Sequence, residues 1–275
     1  MARSRFVHDI IMRLWPLGKA VNWLASRPVV GRLFEPLAYA EEDEAIIIPV
    51  AEVVQGTQSV VLPYQLLAPM VAQASTRVLL ERCLCRQGEN CQTYPHEIGC
   101  LFLGPGAAEI HPSLGRVVSV NEALAHLEQG MEVGLLPSIV HSGFDAWLLG
   151  IPYRREIAVC FCCECCCSVH QSLRAGPPRG WESVIRLPGL SVEVGPECTL
   201  CGTCQMVCPV SAIAKVDGQM GVDDELCKGC GRCAAACPEG AITLRMAEGM
   251  DVQSLVSERV QTRTDILTVA MDRTG

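Results

Sequence analysis

Apolar positions along the first forty residues recur at helical spacing. Phe6, Val7, Ile10, Ile11 and Leu14 fall on one face of a 3.6-residue period, and Pro16 interrupts it. The pattern predicts one or two amphipathic helices over residues 1–40, ended by the acidic run Glu41 to Glu44. The run AIIIPVAEVV reads as a strand, and a helix beginning near Pro63 leads toward Cys83. A second helix opens at SVNEALAHLEQG, where Ser119 and Glu122 form a capping-box pattern and Gly130 can close it. The β-type run EIAVCF follows, and the turn-rich GPPRGW, Gly176 to Trp181, reads as a linker. The division expected is a helical segment 1–40, a cysteine-rich α/β domain 45–175, a smaller domain 182–247 and a tail 248–275. The fold class is α+β.

The uncharged stretch from Val53 to Thr76 contains Gly56, Pro63 and Pro69 and does not read as a membrane span. The opening residues MARSRFVHDIIMRLW lack the apolar core of a signal peptide.

Cysteine changes the picture. The 275-residue chain holds 18, in tight runs. Adjacent side chains in CFCCECCC point in different directions, which disfavours orderly disulfides, so thiolate ligation of metal in a reducing compartment is the better reading. A cytoplasmic setting is expected.

The last domain is an internal repeat. EVGPECTLCGTCQMVCPVSAI aligns with VDDELCKGCGRCAAACPEGAI, with Cys198 matching Cys227. Cys198, Cys201, Cys204 and Cys208-Pro209 follow C-x2-C-x2-C-x3-C-P, and Cys227, Cys230, Cys233 and Cys237-Pro238 repeat it. Three cysteines so spaced curl round three corners of a cubane, while the fourth points away to another cluster. The expected sets are therefore Cys198, Cys201, Cys204 and Cys237 for one [4Fe–4S] cluster, and Cys227, Cys230, Cys233 and Cys208 for a second. Over about 55 residues this region resembles the bacterial dicluster ferredoxins, which implies a pseudo-twofold βαβ fold and electron transfer. Zinc at these eight thiols is the competing reading. Residues 191–247 carry a net charge of −3, which favours oxidised clusters and a low potential.

The first domain offers ten more thiols: Cys83, Cys85, Cys91 and Cys100, then Cys160, Cys162, Cys163, Cys165, Cys166 and Cys167. On a continued strand, Cys160 and Cys162 share a face opposite Cys163, and a turn near Glu164 can bring the later cysteines back. Only a subset is expected to ligate metal, with at least two thiols of the 160–167 run left as packing residues. The alternatives are one cluster with spare thiols, two clusters, a non-cubane cluster with more protein ligands, or a structural zinc at Cys83 to Cys100.

Three runs, Cys83-Leu84-Cys85-Arg86, Tyr94-Pro95 through Cys100 to Gly104, and Cys160 to Cys167, resemble those of an uncharacterised family of iron–sulfur proteins of anaerobic bacteria and archaea. In that family they precede a dicluster module. The resemblance covers roughly residues 45–247 and implies iron–sulfur binding and electron transfer, without assigning ligands in the first domain.

His96 and His170 are ligand candidates or hydrogen-bonding residues, and Arg86 either offsets thiolate charge or is solvated. GCLFLGPG lacks the pattern of a phosphate cradle. Residues 1–40 carry +4, which leaves −12 for the rest of a chain whose net charge is −8. This acidic balance does not describe a nucleic-acid binder. Trp15 and Trp23 with the basic residues suit either packing on the protein or a partner, or peripheral membrane contact.

The function expected is an electron carrier or oxidoreductase subunit working with a redox partner protein or complex. The alternatives are a disulfide- or thiol-reducing site in the first domain, a cluster-assembly or metal-carrying role, and a first domain that holds only structural zinc.

Overall fold

In a computed structural model, residues 3–49, 54–55 and 62–265 are described. The strands are β1 Glu44–Ile47, β2 Val54–Gln55, β3 Arg77–Leu80, β4 Leu101–Leu103, β5 Gly115–Val117, β6 Leu136–His141, β7 Ala158–Cys162, β8 Val184–Arg186, β9 Leu190–Val194, β10 Ile213–Val216, β11 Gln219–Val222 and β12 Ile242–Met246. The helices are α1 Arg5–Arg13, α2 Trp15–Ala25, α3 Gly31–Ala38, α4 Leu62–Gln73, α5 Leu84–Gly88, α6 Val120–Glu132, α7 Gly143–Leu149, α8 Ser168–Ala175, α9 Pro178–Glu182, α10 Thr203–Val207, α11 Arg232–Ala235 and α12 Val252–Arg263. The chain is α+β, as its patterning predicts.

Seven strands form one sheet in the order β5-β3-β4-β7-β6-β1-β8, antiparallel except for β1 and β8. Alternation along its strands fills both faces. Leu79, Leu101, Leu103, Val159 and Phe161 pack on the side of α4 and α6, with Leu66, Leu67, Ala123 and Leu127. Val78, Leu80, Phe102 and Ala158 pack on the other side, with Leu84 of α5, Ala146 and Leu148 of α7, and Ile11 and Met12 of α1. Sheet order also decides the chemistry, because β4 and β7 are neighbours and so bring the sequence-distant Cys100 and Cys160 together.

The C-terminal repeat folds with pseudo-twofold regularity. β10 pairs with β11 antiparallel, and β9 pairs with β12 antiparallel. The amide of Gly195 donates to the Ala241 carbonyl at 2.7 Å, and that of Asp223 donates to Ala212 at the same distance. Gly202 and Gly231, at φ 81° and 77°, occupy equivalent left-handed positions ahead of α10 and α11, where a glycine carries no steric penalty.

The segments are tied together more tightly than the expected division suggests. β8 pairs with β1 in the large sheet, while β2 adds in parallel to β12 of the small one. The turn-rich GPPRGW contributes most of α9, whose Gly180 lies against the Tyr39 ring. The tail forms α12, which buries Val252, Val256 and Val260 and directs Arg259 onto Glu44 of β1 at 2.7 and 2.8 Å. Residues 1–40 form three helices rather than one or two, and the first break falls at Leu14 with Pro16 in the opening turn of α2. These helices pack on the protein: Trp15 donates to Glu89 at 2.8 Å and meets Phe144 edge-on. Among the described residues, no helix is long and apolar enough to cross a membrane.

The capping box at Ser119 and Glu122 forms, but α6 runs past Gly130 to Glu132, and the left-handed residue that follows it is Gly134. Gly130 serves packing instead. A Cβ there would strike the ring of Phe161, itself buried between cysteines on β7 and held edge-on by His126. Gly130→Ala is expected to gain about 1 kcal/mol of helix propensity and to lose about 2 kcal/mol to overpacking. Denaturant unfolding should therefore show a net loss of about 1 kcal/mol, and a stabilised variant would contradict the packing role.

Candidate metal centres

The ten thiols of the first domain fall into two groups that cut across the two sequence runs. Cys91, Cys163, Cys165 and Cys166 form one, with all four sulfurs within 4.8 Å of one another. Cys83, Cys85, Cys100, Cys160, Cys162 and Cys167 form the other. Within it, thiol–thiol contacts join Cys83 to Cys100 and to Cys85, Cys85 to Cys167, and Cys167 to Cys162. Cys160 extends the series beyond Cys100, their sulfurs 3.3 Å apart, so the six form an open series from Cys160 to Cys162.

The local backbone explains the split. Cys160 and Cys162 are two apart on β7 and share a face, whereas Cys163 leaves the strand and residues 164–166 turn. Adjacent pairs therefore divide. Cys162 and Cys167 join the six, and Cys163 and Cys166 join the four. All six thiols of the 160–167 run lie in one group or the other, where at least two were expected as packing residues. The four cysteines from Cys83 to Cys100 are not brought to one point, because Cys91 lies with the 163–166 turn.

The four-thiol set suits a single tetrahedral ion. A metal–sulfur bond of about 2.3 Å sets a sulfur–sulfur edge of about 3.8 Å, which a 4.8 Å cluster of thiols accommodates. Burial works against a charged Cys91. Hydrogen bonds from the backbone of Tyr94 and Thr93, and from the thiols of Cys166 and Cys165, nevertheless bring its pKa down to about 7. One ligand is thereby held near its thiolate form.

Arg86 lies between the two groups and is fully buried. It donates to the carbonyl of Phe161 at 2.7 Å and to that of Ile98. Burial disfavours its charge, yet Cys83, Cys100 and Cys163 raise its pKa. It is an internal counter-charge to the thiols, not a solvated side chain. His96 and His170 are both placed as hydrogen-bonding residues, on the carbonyls of Cys91 and Cys163 at 2.9 Å. Burial holds His170 neutral, with its pKa near 4.

In the C-terminal module, Cys198, Cys201, Cys204 and Cys237 line one open pocket with Gly202 and Met220. Cys208 lies close enough to Cys230 and Cys233 to raise the pKa of each, alongside the larger effects of burial and, at Cys233, of Cys230 and Cys227. Backbone amides meet the sulfurs at equivalent points, from Ala212 to Cys208 and from Ala241 to Cys237, both at 3.3 Å. Four converging thiols with amide donors on the sulfur are the donor chemistry an iron–sulfur cluster requires.

The two halves differ in surroundings. The first loop is open, with Thr199 and Cys201 exposed. The second is covered: Lys228 is buried over the Trp181 ring, 3.3 Å from its centroid. Arg232 pairs with Glu164 at 3.0 Å, and Tyr94 donates to both oxygens of that carboxylate at 3.0 Å. The Tyr94–Glu164–Arg232 link joins the 163–166 turn to the loop carrying Cys230 and Cys233. Sequence reasoning passed over Lys228, Arg232 and Glu164. The signal for the two cations is in the repeat itself, where Thr199 and Thr203 of the first half become Lys228 and Arg232 of the second.

These centres define an iron–sulfur protein. Residues 195–247 match the model of a family described as the LdpA Fe-S cluster-binding domain, a match that covers 53 of the 275 residues. No curated protein and no solved structure matches the chain.

Arg86→Met would leave two buried carbonyls without their charged donor and remove the counter-charge. A loss of about 3 kcal/mol of stability is expected, with less metal retained by the first domain. Denaturant unfolding and metal analysis of the purified variant check both, and an unchanged metal content would refute the counter-charge role.

Proposed function

We propose that the chain is an electron-transfer protein holding two [4Fe–4S] clusters in residues 195–247 and passing electrons between them and the thiol-rich first domain. The observation that carries this reading is the Tyr94–Glu164–Arg232 link, which fixes the second cysteine loop against the four-thiol site. When bound, such clusters supply one-electron chemistry, and the protein supplies position, insulation and charge.

The charges of the chain rank the two sites. Lys228 stands beside the second loop over Trp181, with Arg186 and Arg232 there each paired with a carboxylate, Asp224 and Glu164, whereas Glu197 and Glu239 flank the first. Cations favour the reduced, more negative state of a nearby centre, so the covered site has the higher potential and the open one the lower. Exposed Cys201 and Met206 mark the open loop as the face toward a redox partner protein. Electrons then run downhill from that face to the covered loop and on to the first domain.

One observation favours a second reading of the four-thiol site. Its close sulfur spacing suits zinc as well as a single iron, and zinc there would be structural.

Redox titration of anaerobically purified protein followed by EPR should resolve two cubane signals of unequal potential. Arg232→Gln is expected to lower the higher potential by about 50 mV and leave the other in place. A protein with zinc at the C-terminal thiols and no labile sulfide would refute the proposal.

A further inference from the structure

We infer that Cys83, Cys85, Cys100, Cys160, Cys162 and Cys167 form a separate site for one polynuclear iron–sulfide cluster with more than four protein ligands. The inference rests on the proposed iron–sulfur function and extends it to a further centre in the first domain.

The number of thiols argues first. A single ion takes at most four thiolates, and a cubane offers four irons to protein ligands, so six sulfurs joined in one series exceed both. Spacing argues second. The Cys91 group draws four sulfurs within 4.8 Å, whereas among the described residues the six do not meet that test. Neighbours touch along the series, at 3.3 Å for Cys100 and Cys160, while the six as a whole stay spread. That is the arrangement of ligands bound to different metals about a common centre.

The surroundings also point to a guest. Ser138 stands directly opposite Cys160 in the β6–β7 register, so its side chain shares the face of that sulfur. It is fully buried, and its hydroxyl has no hydrogen-bond partner among the described residues. Such a donor suits the sulfide or thiolate of a bound cluster. The Ser168 hydroxyl lies 3.2 Å from the Cys85 sulfur and is a further donor. Arg86 is the internal cation within reach of Cys83 and Cys100. One arginine cannot balance six thiolates, so metal is what allows them to be charged in the interior.

The six thiols and the four-thiol site are one peptide bond apart at each of two points, Cys162–Cys163 and Cys166–Cys167. The three thiol-rich sites therefore form a continuous series: the covered C-terminal loop, the Cys91 group and the six-thiol group.

The test uses the full chain, reconstituted anaerobically with ferrous iron and sulfide, and compared with Cys100→Ser/Cys160→Ser. Beyond the roughly eight irons of two cubanes, the unmodified chain is expected to bind about four or more, with matching labile sulfide. The double variant should lose that excess and one Mössbauer component while keeping the cubane EPR signals. Cys85→Ser removes one half-buried ligand and is expected to perturb the same component without abolishing it. Unchanged iron, sulfide and spectra in a folded double variant would overturn the site, as would an unmodified chain whose excess is one ion. Two zinc ions at the six thiols, or the six paired as disulfides, would overturn it too. Failure of the underlying function differs, since the unmodified chain would then show no cubane signal.

Discussion

Arg86 is the residue on which the first domain turns. Thiols gathered around β7 and its flanking loops would, once ionised, bring negative charge into an interior that has little water to screen it. The buried guanidinium lies between the two thiol groups and is held there by carbonyls of Phe161 and Ile98. It ties β7 to the loop before β4, the two elements that deliver Cys160 and Cys100. Phe161 packs in turn against Gly130 of α6, so the helix layer, the strand and the counter-charge are set together. The fold around this point is a frame for sulfur positions.

The same logic runs outward to the C-terminal module. Lys228 and Arg232 stand where the first half of the repeat has threonines, and both are used at the junction with the first domain. A sequence-symmetric pair of loops is thereby given unequal surroundings: one open, the other covered by Lys228 on Trp181 and by the Arg232–Glu164 pair.

Much of this was legible in the chain and some of it was not. The repeat was visible because its ligands are local: C-x2-C-x2-C-x3-C closes on itself within eleven residues, and its strands follow from short apolar runs. The capping box at Ser119 was visible for the same reason. The division of the other ten thiols was not, since it depends on β4 lying beside β7 and on the turn at residues 164–166. Adjacent cysteines such as Cys162 and Cys163 look redundant in sequence yet serve different groups. Gly130 read as a helix end because nothing local announces that Phe161 will lie against it. The burial of Arg86 was equally hidden, because its two carbonyl partners lie 12 and 75 residues away.

The central claim is that the C-terminal module and the first-domain thiols form one electron path. Rapid-freeze EPR after mixing the anaerobic full chain with a limiting amount of reductant tests it most directly. The account predicts that first-domain metal is reduced at a rate independent of protein concentration, after the C-terminal signals appear, and more slowly in Glu164→Gln. First-domain metal that stays oxidised beside a fully reduced module, or is reduced only through collisions between molecules, would contradict it.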